Sequence, residues 1–389
     1  MPMAEIYFDY AATTPIDDRV ITAMLAHMGR TAQFGNPASS SHGFGQAARI
    51  TVEQAREQVA ALVGATAETI IWTSGATESN NLALKGVAAC APANRRHIIT
   101  SLIEHKAVLD TARQLETEGF DVTWLAPQAD GTVSPAAVSA ALREDTLLVT
   151  LMLVNNELGT VTDVAAIGEA VCGRGALLHV DAAQATGKVA IDLARWPVDL
   201  MSFSAHKTYG PKGIGALYVG ERAYPVLKAQ IHGGGHERGL RSGTLAPHQI
   251  AGMGSAFALA SELQATELAR IAALSTQLRT ALLDLPGVTL NGHTSQRIPH
   301  TLNLCIDQPG FNAARLAGTL ALSSTSACNS ASASASHVLL ALGLDTTQAQ
   351  RSIRLSLGRY TTEADVEAAI KAIRDCVLAP VAAFGLPAW

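Results

Sequence analysis

Short apolar runs alternate with amphipathic stretches along residues 45–260. One amphipathic stretch has apolar side chains at helical spacing and is followed by Gly64, which predicts a helix that ends there. These side chains are Ala48, Val52, Ala55, Val59 and Leu62. The β-branched runs predicted as strands are Thr69–Thr73, His97–Thr100, Val122–Leu125, Leu147–Val154, Leu177–Val180, Leu200–Phe203 and Ile214–Val219. Strands separated by helices predict an α/β fold with a mostly parallel sheet covered on both faces.

The pattern changes in the last third of the chain. Residues 255–285 are rich in Ala and Leu and predict a long helix that connects two domains. Residues 286–389 carry shorter strands and helices, which indicates a second, smaller domain. Within it, the run Asn329–Ser336 consists mainly of Ser and Ala. Such small side chains offer little to pack, so we expect a mobile loop or a weakly anchored helix start.

Composition excludes several classes of protein. Of the 389 residues, 48% are hydrophobic and 16% charged, which excludes a disordered chain. The net charge of −5 argues against direct nucleic-acid binding. No apolar run reaches the roughly 18 residues of a membrane span, and the first residues do not resemble a signal peptide. The five cysteines are scattered without a CxxC motif, which is typical of a reducing compartment. We therefore expect a cytoplasmic protein.

Polar clusters follow five of the predicted strands directly. Ligands of open α/β sheets bind beyond the carboxyl ends of the strands, so clusters at those ends converge on one crevice. The clusters are Ser74–Asn81, Glu104–Lys106, Asn155–Glu157, Asp181–Gln184 and Ser204–Lys207. A single cluster would be weak evidence for a site, whereas five in corresponding positions strongly indicate one.

The side chains in these clusters have complementary chemistry. A Ser-Gly-Ala-Thr turn at a helix start suits a phosphate, although alone it reads as an ordinary N-cap. Asp181 ends a buried strand and needs a cation. The amine of Lys207 is able to form a Schiff base, and the imidazole of His105 is able to stack on a ring. Considered alone, Lys207 would be interpreted as a surface lysine and His105 as a core histidine. Together these groups match pyridoxal phosphate, because the carboxylate keeps the pyridine nitrogen protonated.

Motifs for other cofactors fail on inspection. The string Gly210–Gly215 has the wrong spacing for a dinucleotide fingerprint and precedes a strand. Gly187-Lys188 is followed by Val189, so it does not form a nucleotide-binding P-loop. His232–His236 encloses three glycines, which do not form a helix that presents two histidines to zinc. We therefore expect no resident metal.

Three long strings resemble the pyridoxal-phosphate-dependent cysteine desulfurases of the NifS/IscS type, within the class-V aminotransferases. The strings are Ser74–Asn81, Ser204–Gly213 and Gly233–Thr244. The resemblance begins at Tyr7–Pro15 and extends to Ser352–Arg359, so it covers nearly the whole chain. It implies the type I fold of pyridoxal-phosphate transferases. It also implies a large cofactor-binding domain over residues 15–260 and a smaller α+β domain formed by residues 1–14 and 261–389.

The resemblance also implies roles for individual residues. Lys207 is expected to bind the cofactor covalently and act as the base, and His105 to stack on the ring and move protons. The ring nitrogen is expected to pair with Asp181 and the ring hydroxyl with Gln184. Further expected cofactor contacts are Ala76, Thr77, Asn156, Ser204 and His206. Thr244 is expected to reach the phosphate of a neighbouring subunit, which implies a homodimer. Asn156 and Arg354 are expected to bind the carboxylate of L-cysteine.

Cys328 is the predicted nucleophile. It lies among serines in Ser323–Ser330, which resembles the loop that carries the persulfide in this family. The resemblance also leaves open a transient iron–sulfur ligation by Cys328. Each of the other four cysteines has an apolar neighbour and is predicted to be a small core residue. These are Cys90, Cys172, Cys305 and Cys376.

The sulfur acceptor stays open at the level of sequence. Thr325 stands where the family usually has glycine, and the segment ending at Trp389 is shorter and more apolar than the extension by which IscS-type members dock a scaffold. The acceptor is therefore an iron–sulfur scaffold, a tRNA-thiolation relay or DNA-phosphorothioation machinery. Three functions remain: a cysteine desulfurase, a related pyridoxal-phosphate enzyme such as a selenocysteine lyase or an aminotransferase, and a non-catalytic scaffold.

Overall fold

The computed structural model describes residues 5–324 and 335–378. Its strands are β1 Ile6–Tyr7, β2 Ile70–Thr73, β3 His97–Ser101, β4 Asp121–Leu125, β5 Thr146–Met152, β6 Leu177–Asp181, β7 Leu200–Ser204, β8 Gly215–Val219, β9 Val288–Asn291, β10 Thr301–Ile306, β11 Leu320–Ala321, β12 Ser323–Ser324 and β13 Ser352–Ser356. Its helices are α1 Asp18–Leu25, α2 Gly43–Val63, α3 Ala76–Ala88, α4 Lys106–Thr117, α5 Pro135–Ala141, α6 Val164–Gly173, α7 Pro247–Leu283, α8 His337–Ala341, α9 Thr346–Gln350 and α10 Glu363–Leu378.

A seven-stranded sheet forms the larger part of the molecule. Its strand order is β2-β8-β7-β6-β5-β3-β4. The pairs among β7, β6, β5, β3 and β4 are parallel, whereas β8 is antiparallel to both of its neighbours. The prediction of an α/β fold with a mostly parallel sheet is therefore confirmed, with β8 as the one reversed strand of this sheet.

The predicted apolar runs coincide with strands of this sheet, with small shifts at their ends. The largest shift concerns the run Leu147–Val154, because β5 ends at Met152. Val154 instead forms an isolated antiparallel bridge with Val161. The chain therefore turns back on itself between Val154 and Val161, which keeps the polar residues from Asn155 onward at the end of the sheet.

Helix α2 ends where the sequence predicted. Its C-cap is Gly64, with a φ of 67° in the left-handed region that favours glycine. Helix α7, in contrast, begins at Pro247, eight residues before the predicted start at residue 255. Gly252 and Gly254 weaken the helical pattern in this stretch but are needed for close packing. A Cβ at Gly252 would lie 2.8 Å from Met24 Cγ, and one at Gly254 would lie 2.7 Å from Ala55 Cα.

Helix α7 runs between two separate apolar cores. Ile250, Met253 and Phe257 in its first part pack in the core of the seven-stranded sheet. Leu274 and Leu278 in its second part pack in the core around the four-stranded sheet β12-β13-β10-β9. The helix thus joins two packed units. The domain boundaries at residues 15 and 260 stay a prediction.

The segment from β1 to Thr14 contacts both units. Strand β1 pairs in parallel with β11, and Phe8 is fully buried in the second core. Residues Ala11 and Ala12 then reach the carboxyl end of the seven-stranded sheet, where they line a cavity.

Within the described ranges, no helix has both the length and the apolar character to cross a membrane. The same residues contain no group of three or more His, Cys, Asp or Glu side chains arranged to hold a metal ion.

The prediction that the remaining cysteines are core residues is only partly correct. Cys305 and Cys376 are buried, but Cys90 is half-buried and Cys172 is exposed. Cys172 lies on α6 directly after the buried Val171. One residue of an α-helix turns the side chain by about 100°, and this rotation carries the thiol of Cys172 out to solvent.

Candidate active site

The direction of the strands brings the five polar clusters to one edge of the sheet. Strands β2 and β7 are both antiparallel to β8, so they run in the same direction. Strands β6, β5 and β3 are parallel to β7 and to one another. The carboxyl ends of all five strands therefore lie at the same edge.

A cavity of about 590 Å³ opens at this edge. It is lined by every predicted cofactor and substrate residue except Thr244. The predicted residues that line it are Ala76, Thr77, His105, Asn156, Asp181, Gln184, Ser204, His206, Lys207 and Arg354. Thr244 is exposed and is not part of the lining, and its contact with a second subunit stays a prediction. Cys328 lies outside the described residues.

A wider hollow of about 960 Å³ lies against α3 and α4. It shares only Thr77 and His105 with the cavity at the strand ends. Most of its other lining residues belong to the surfaces of the two helices, such as Lys85 and Asp110. The convergent polar groups therefore belong to the smaller cavity.

The first turn of α3 forms one wall of the cavity. The residue before the helix, Gly75, has a φ of 155° and provides no side-chain cap. Backbone N–H groups of a first helical turn have no partner within the helix, so this turn is able to bind an anion. Ser204, His206 and Lys212 line the same cavity and add donors and positive charge.

Asp181 is a buried carboxylate at the end of β6, with only 5% of its surface exposed. Its Oδ2 accepts a hydrogen bond from Asn80 Nδ2 at 2.8 Å. Its Oδ1 accepts one from the backbone N–H of Ala183 at 2.9 Å. Each oxygen thus has a donor that holds the carboxylate in place beside the cavity.

His105 is the N-cap of α4. Its Nδ1 accepts a hydrogen bond from the backbone N–H of Ala107 at 3.1 Å. Burial lowers the pKa of His105; the charge of Asp181 opposes this shift and that of Lys207 adds to it. The ring is therefore neutral at neutral pH, and its proton lies on Nε2 because Nδ1 is the acceptor.

Glu104 lies beside His105 and is almost fully buried. Its Oε1 accepts a hydrogen bond from the backbone N–H of Met152 at 3.0 Å. Burial raises the pKa of Glu104 well above its usual range, and the charge of Asp181 acts in the same direction. Both effects favour the protonated form of Glu104, which carries no second negative charge next to Asp181.

Lys207 ends the short 3-10 turn that follows β7. Its Nζ donates hydrogen bonds to the backbone carbonyls of Ala11 and Ala12, both at 2.6 Å. The same turn is anchored by Thr14, whose backbone N–H and Oγ1 donate to the carbonyl of His206 at 2.9 and 3.0 Å. The N-terminal segment thus fixes both the backbone and the amine of this lysine.

His206 is a neutral hydrogen-bonding group. Its Nδ1 lies 3.1 Å from Thr13 Oγ1. Burial lowers the pKa of His206 to about 4, and the charges of Lys207, Lys212 and Lys188 contribute to this shift. At neutral pH the ring is therefore able to donate a hydrogen bond to an anion without carrying a charge of its own.

Arg354 is 3% exposed and lies on β13 directly opposite Ser323 of β12. Its Nη2 donates to Asp9 Oδ1 at 2.8 Å and to Ser323 Oγ at 2.7 Å. Its Nη1 donates to the backbone carbonyl of Asn156 at 3.0 Å. Its Nε has no hydrogen-bond partner among the described residues. The guanidinium is thus held rigidly and keeps an unused donor beside the cavity.

Gln184 is held by two neighbours near the cavity. Its Nε2 donates to the backbone carbonyl of Ala11 at 2.8 Å. Its Oε1 accepts a hydrogen bond from Lys188 Nζ at 3.0 Å. The Ala11 carbonyl also accepts from Lys207, so these residues form one continuous set of hydrogen bonds.

The donor set fits pyridoxal phosphate. The ring nitrogen of that cofactor needs a buried carboxylate, which Asp181 provides. Its phosphate needs backbone N–H groups and cationic or neutral donors, which the start of α3, His206 and Lys212 provide. Its aldehyde needs an amine, and Lys207 is the lysine that ends the turn after β7.

Several side chains of this site were not identified by sequence reasoning. Asn80, Asp9 and Ser323 hold Asp181 or Arg354, and Lys188 holds Gln184. Asn80 was part of a recognised string, but nothing in that string indicates which of its residues points at Asp181. Lys188 was considered only as part of a failed P-loop motif, because its distance from the strand end hides its contact with Gln184.

Comparison with known proteins reveals extensive similarity. The profile of the family "Aminotransferase class-V" matches residues 6–369. A curated relative named cysteine desulfurase IscS, from Azotobacter vinelandii, is 58% identical over 373 residues, which cover 96% of this chain and 92% of that protein.

Solved structures agree with this similarity. A structure described as a NifS-like protein has a TM-score of 0.87 and 37% identity, covering 95% of this chain and 98% of its own. A structure described as SspA in complex with cysteine has a TM-score of 0.82 and 38% identity, covering 92% of this chain and 100% of its own.

Proposed function

Because this chain belongs to the class-V aminotransferase family, we propose that it is a pyridoxal-phosphate-dependent cysteine desulfurase. The enzyme converts L-cysteine to L-alanine and transfers the sulfur to Cys328 as a persulfide. The observation that carries this proposal is that Lys207, Asp181, His105 and Arg354 line one cavity at the carboxyl ends of the strands. Relatives named cysteine desulfurase, with up to 58% identity, support the same activity.

Different residues of the cavity would bind different parts of the cofactor. Asp181 would hold the ring nitrogen, His105 would stack on the ring, and Gln184 would bond the ring hydroxyl. The phosphate and ring contacts are completed by Ala76, Thr77, Asn156, Ser204, His206 and, from a second subunit, Thr244. When bound, pyridoxal phosphate supplies an electron sink that makes the Cα proton of an amino acid acidic and activates the Cβ–S bond.

Lys207 and His105 handle protons during the reaction. The amine of Lys207 is oriented by the carbonyls of Ala11 and Ala12, and it removes the Cα proton of the substrate. His105 is neutral and has Nδ1 occupied by a backbone N–H, so it exchanges protons with the substrate thiol through Nε2.

Arg354 selects a substrate with a free carboxylate. Its fork of N–H groups suits a carboxylate, and Nε is the donor without a partner among the described residues. Asn156, whose backbone carbonyl accepts from Arg354, lies on the same side and contributes to carboxylate binding.

The sulfur transfer balances without an external oxidant. The Cβ–S bond of the substrate breaks, an S–S bond to Cys328 forms, and Cβ gains the hydrogen that completes the methyl group of alanine. The persulfide then passes to an acceptor protein for iron–sulfur cluster assembly or thiolation. We propose further that the enzyme is a cytoplasmic homodimer with a large domain over residues 15–260 and a small domain formed by the remainder.

The proposal is tested with purified wild-type protein and three variants incubated with L-cysteine and a thiol reductant. Cys328→Ala is expected to keep the yellow colour of the bound cofactor but to lose sulfide release. Lys207→Ala is expected to lose turnover and the borohydride-reducible link to the cofactor. Cys172→Ala removes an exposed thiol and serves as the control with unchanged activity.

The products distinguish this activity from its alternatives. Alanine and sulfide formed in equal amounts support a desulfurase, whereas 3-mercaptopyruvate, formed without release of sulfide, indicates an aminotransferase. Rapid alanine formation from selenocysteine but not from cysteine indicates a selenocysteine lyase, and a colourless protein indicates a scaffold. A fully active Lys207→Ala protein would falsify the assignment of the base.

A further inference from the structure

A second lysine lies next to the cofactor cavity. Lys188 is half-buried in the segment that follows β6, and its Nζ donates a hydrogen bond to Gln184 Oε1 at 3.0 Å. Gln184 is 6% exposed and lines the cavity, whereas Lys188 is not part of the lining. Any effect of Lys188 on the cofactor is therefore transmitted by Gln184 or by charge.

The two contacts of Gln184 allow only one orientation of its amide group. The backbone carbonyl of Ala11 only accepts hydrogen bonds, so it requires the Nε2 of Gln184. A lysine ammonium only donates, so it requires the Oε1. Rotating the amide by 180° would place oxygen against oxygen and nitrogen against nitrogen. Lys188 and Ala11 thus favour the same orientation, in which Nε2 faces the side of Ala11, which lines the cavity.

The same hydrogen bonds connect Lys188 to the catalytic lysine. The carbonyl of Ala11 accepts from Gln184 Nε2 at 2.8 Å and from Lys207 Nζ at 2.6 Å. Lys207 has to leave this carbonyl when it binds the cofactor. The Nε2 of Gln184 is then the donor that stays on the cavity side, available for an oxygen of the cofactor.

The surroundings of Lys188 disfavour its charged form. Burial lowers the pKa of Lys188 to about 7, and the charges of Lys207 and Arg354 act in the same direction. Lys188 in turn contributes to the lowered pKa values of His206 and His300. The charged and titratable groups that act on it are thus basic, and the carboxamide of Gln184 is its hydrogen-bond acceptor. A half-buried lysine whose charged form is disfavoured in this way adds little to stability, which is consistent with a role in the site.

We propose that Lys188 is a positioning residue that fixes the amide of Gln184 with its N–H group toward the ring hydroxyl of the cofactor. This inference rests on the proposed function, because it assumes pyridoxal phosphate in the cavity. With Lys188 in place, Gln184 presents a donor to the hydroxyl oxygen. Without it, only the Ala11 carbonyl opposes the flipped orientation, so the amide adopts that orientation more often and its oxygen then repels the hydroxyl oxygen.

A double-mutant cycle tests whether Lys188 acts through Gln184. The cofactor-loaded proteins are the wild type, Lys188→Met, Gln184→Ala and the combination of both. The readout is the pH midpoint of the visible absorption band of the bound cofactor, together with the rate at which the cofactor is lost. Lys188→Arg is the conservative variant, because it keeps a charged donor.

We expect the effect of Lys188→Met on the pH midpoint to depend strongly on the presence of Gln184. Lys188→Met alone shifts the pH midpoint by about 0.5 unit or more and speeds cofactor loss severalfold. In the Gln184→Ala background the same change shifts the midpoint by less than about 0.2 unit. Lys188→Arg restores most of the wild-type behaviour. If Lys188→Met does not fold, Lys188→Gln is measured by the same criterion.

Two results overturn the inference. An unchanged midpoint in Lys188→Met shows that Lys188 has no influence on the cofactor. An equal shift in both backgrounds shows that Lys188 acts by its charge and not through the amide. Alanine formation by the wild type is measured separately. If the wild type forms alanine but the effects of Lys188→Met and Gln184→Ala simply add, only the inference about Lys188 is refuted. A loaded protein that makes no alanine refutes only the proposed desulfurase activity.

Discussion

Arg354 and Asp9 are separated by 345 positions in the chain, yet Arg354 Nη2 lies 2.8 Å from Asp9 Oδ1. The side chain of Arg354 is 4% exposed and that of Asp9 is 21% exposed. Ser323 Oγ donates to the same carboxylate oxygen at 2.8 Å. This cluster ties the N-terminal segment to the second sheet at the wall of the cavity, so its loss affects both stability and the position of Arg354.

Replacing Asp9 with asparagine should destabilise the protein. Asp9→Asn leaves the buried guanidinium of Arg354 without its anion, and we expect a loss of about 2–3 kcal/mol in the free energy of unfolding. Urea unfolding followed by circular dichroism measures this loss. Asp307→Asn is the matched control, because Asp307 also pairs with an arginine at 2.8 Å but is 60% exposed. It should cost less than about 1 kcal/mol. Equal losses in both variants would contradict the role of burial.

Glu237, the one carboxylate of the glycine-rich string Gly233–Thr244, should contribute strongly to stability. It accepts from both terminal nitrogens of Arg56, at 2.7 and 3.0 Å, and from the backbone N–H of Trp72 at 2.8 Å. Glu237→Gln should lower the free energy of unfolding by about 3–5 kcal/mol, because this pair is almost fully buried.

The control for Glu237 is the other partner of Arg56. Glu53 accepts from Arg56 Nε at 3.0 Å, but its side chain is 52% exposed. Glu53→Gln should change the free energy of unfolding by less than about 1 kcal/mol in the same urea experiment. A larger loss for Glu53→Gln than for Glu237→Gln would rule out this assignment.

Asn80 should support cofactor binding through Asp181. Asn80→Ala removes a hydrogen bond to a buried carboxylate, an interaction worth about 1.5–3 kcal/mol. We therefore expect the affinity of the apo-protein for pyridoxal phosphate to fall about tenfold or more, measured by quenching of tryptophan fluorescence. Asn81→Ala, at the next position of α3 and with an exposed hydrogen bond to Thr77, should change the affinity less than about twofold. Similar effects of both changes would argue against a specific role of Asn80.

Buried histidines should make the protein less stable in mild acid. Burial lowers the pKa of His179 to about 3, and its ring nitrogens contact the hydroxyls of Thr150 and Ser202 at 2.8 and 2.9 Å. The pKa of His300 is likewise lowered to about 3. Between the ordinary histidine pKa of about 6.5 and the lowered values, the unfolded chain binds protons that the folded chain does not. Stability is therefore unaffected by these groups above pH 6.5, and it falls below that pH by up to about 1.4 kcal/mol per pH unit for each histidine.

The slope of stability against pH tests this expectation. Urea unfolding between about pH 5 and 7.5 should give a smaller slope for His179→Gln than for the wild type, by up to one proton per chain. His232→Gln, a change at an exposed position, should leave the slope unchanged. A wild-type stability that is constant from pH 7.5 to 5 would refute the prediction.

The sequence was most informative where local pattern decides the structure. The run Leu177–Val180 and the aspartate after it predict a buried strand that ends in a carboxylate, and this is where Asp181 lies. The five polar clusters could be assigned to one edge because parallel strands share a direction. The roles of individual residues came from the resemblance to a family rather than from spacing.

Contacts between distant parts of the chain could not be predicted in this way. Nothing near Ala11 indicates that its carbonyl accepts from Lys207, because the side chain of an alanine carries no polar signal. The start of α7 was missed since Gly252 and Gly254 read as helix breakers, whereas close packing against α1 and α2 requires them. Glu237 was likewise interpreted as part of the string Gly233–Thr244 that resembles the family, and not as the partner of Arg56.

The N-terminal segment also sets an order on the assembly of the enzyme during its synthesis. Ile6 pairs with Leu320, and the bridge from Asp9 reaches Ser356, so the start of the segment cannot complete its contacts until more than 300 further residues have left the ribosome. Until then Ala11 and Ala12 are held only by earlier parts of the chain, such as Gln184 and Lys207. The seven-stranded sheet is complete by Val219, and the nascent protein therefore carries the sheet side of the site before Arg354 and the sheet pairing of the N-terminal segment are added.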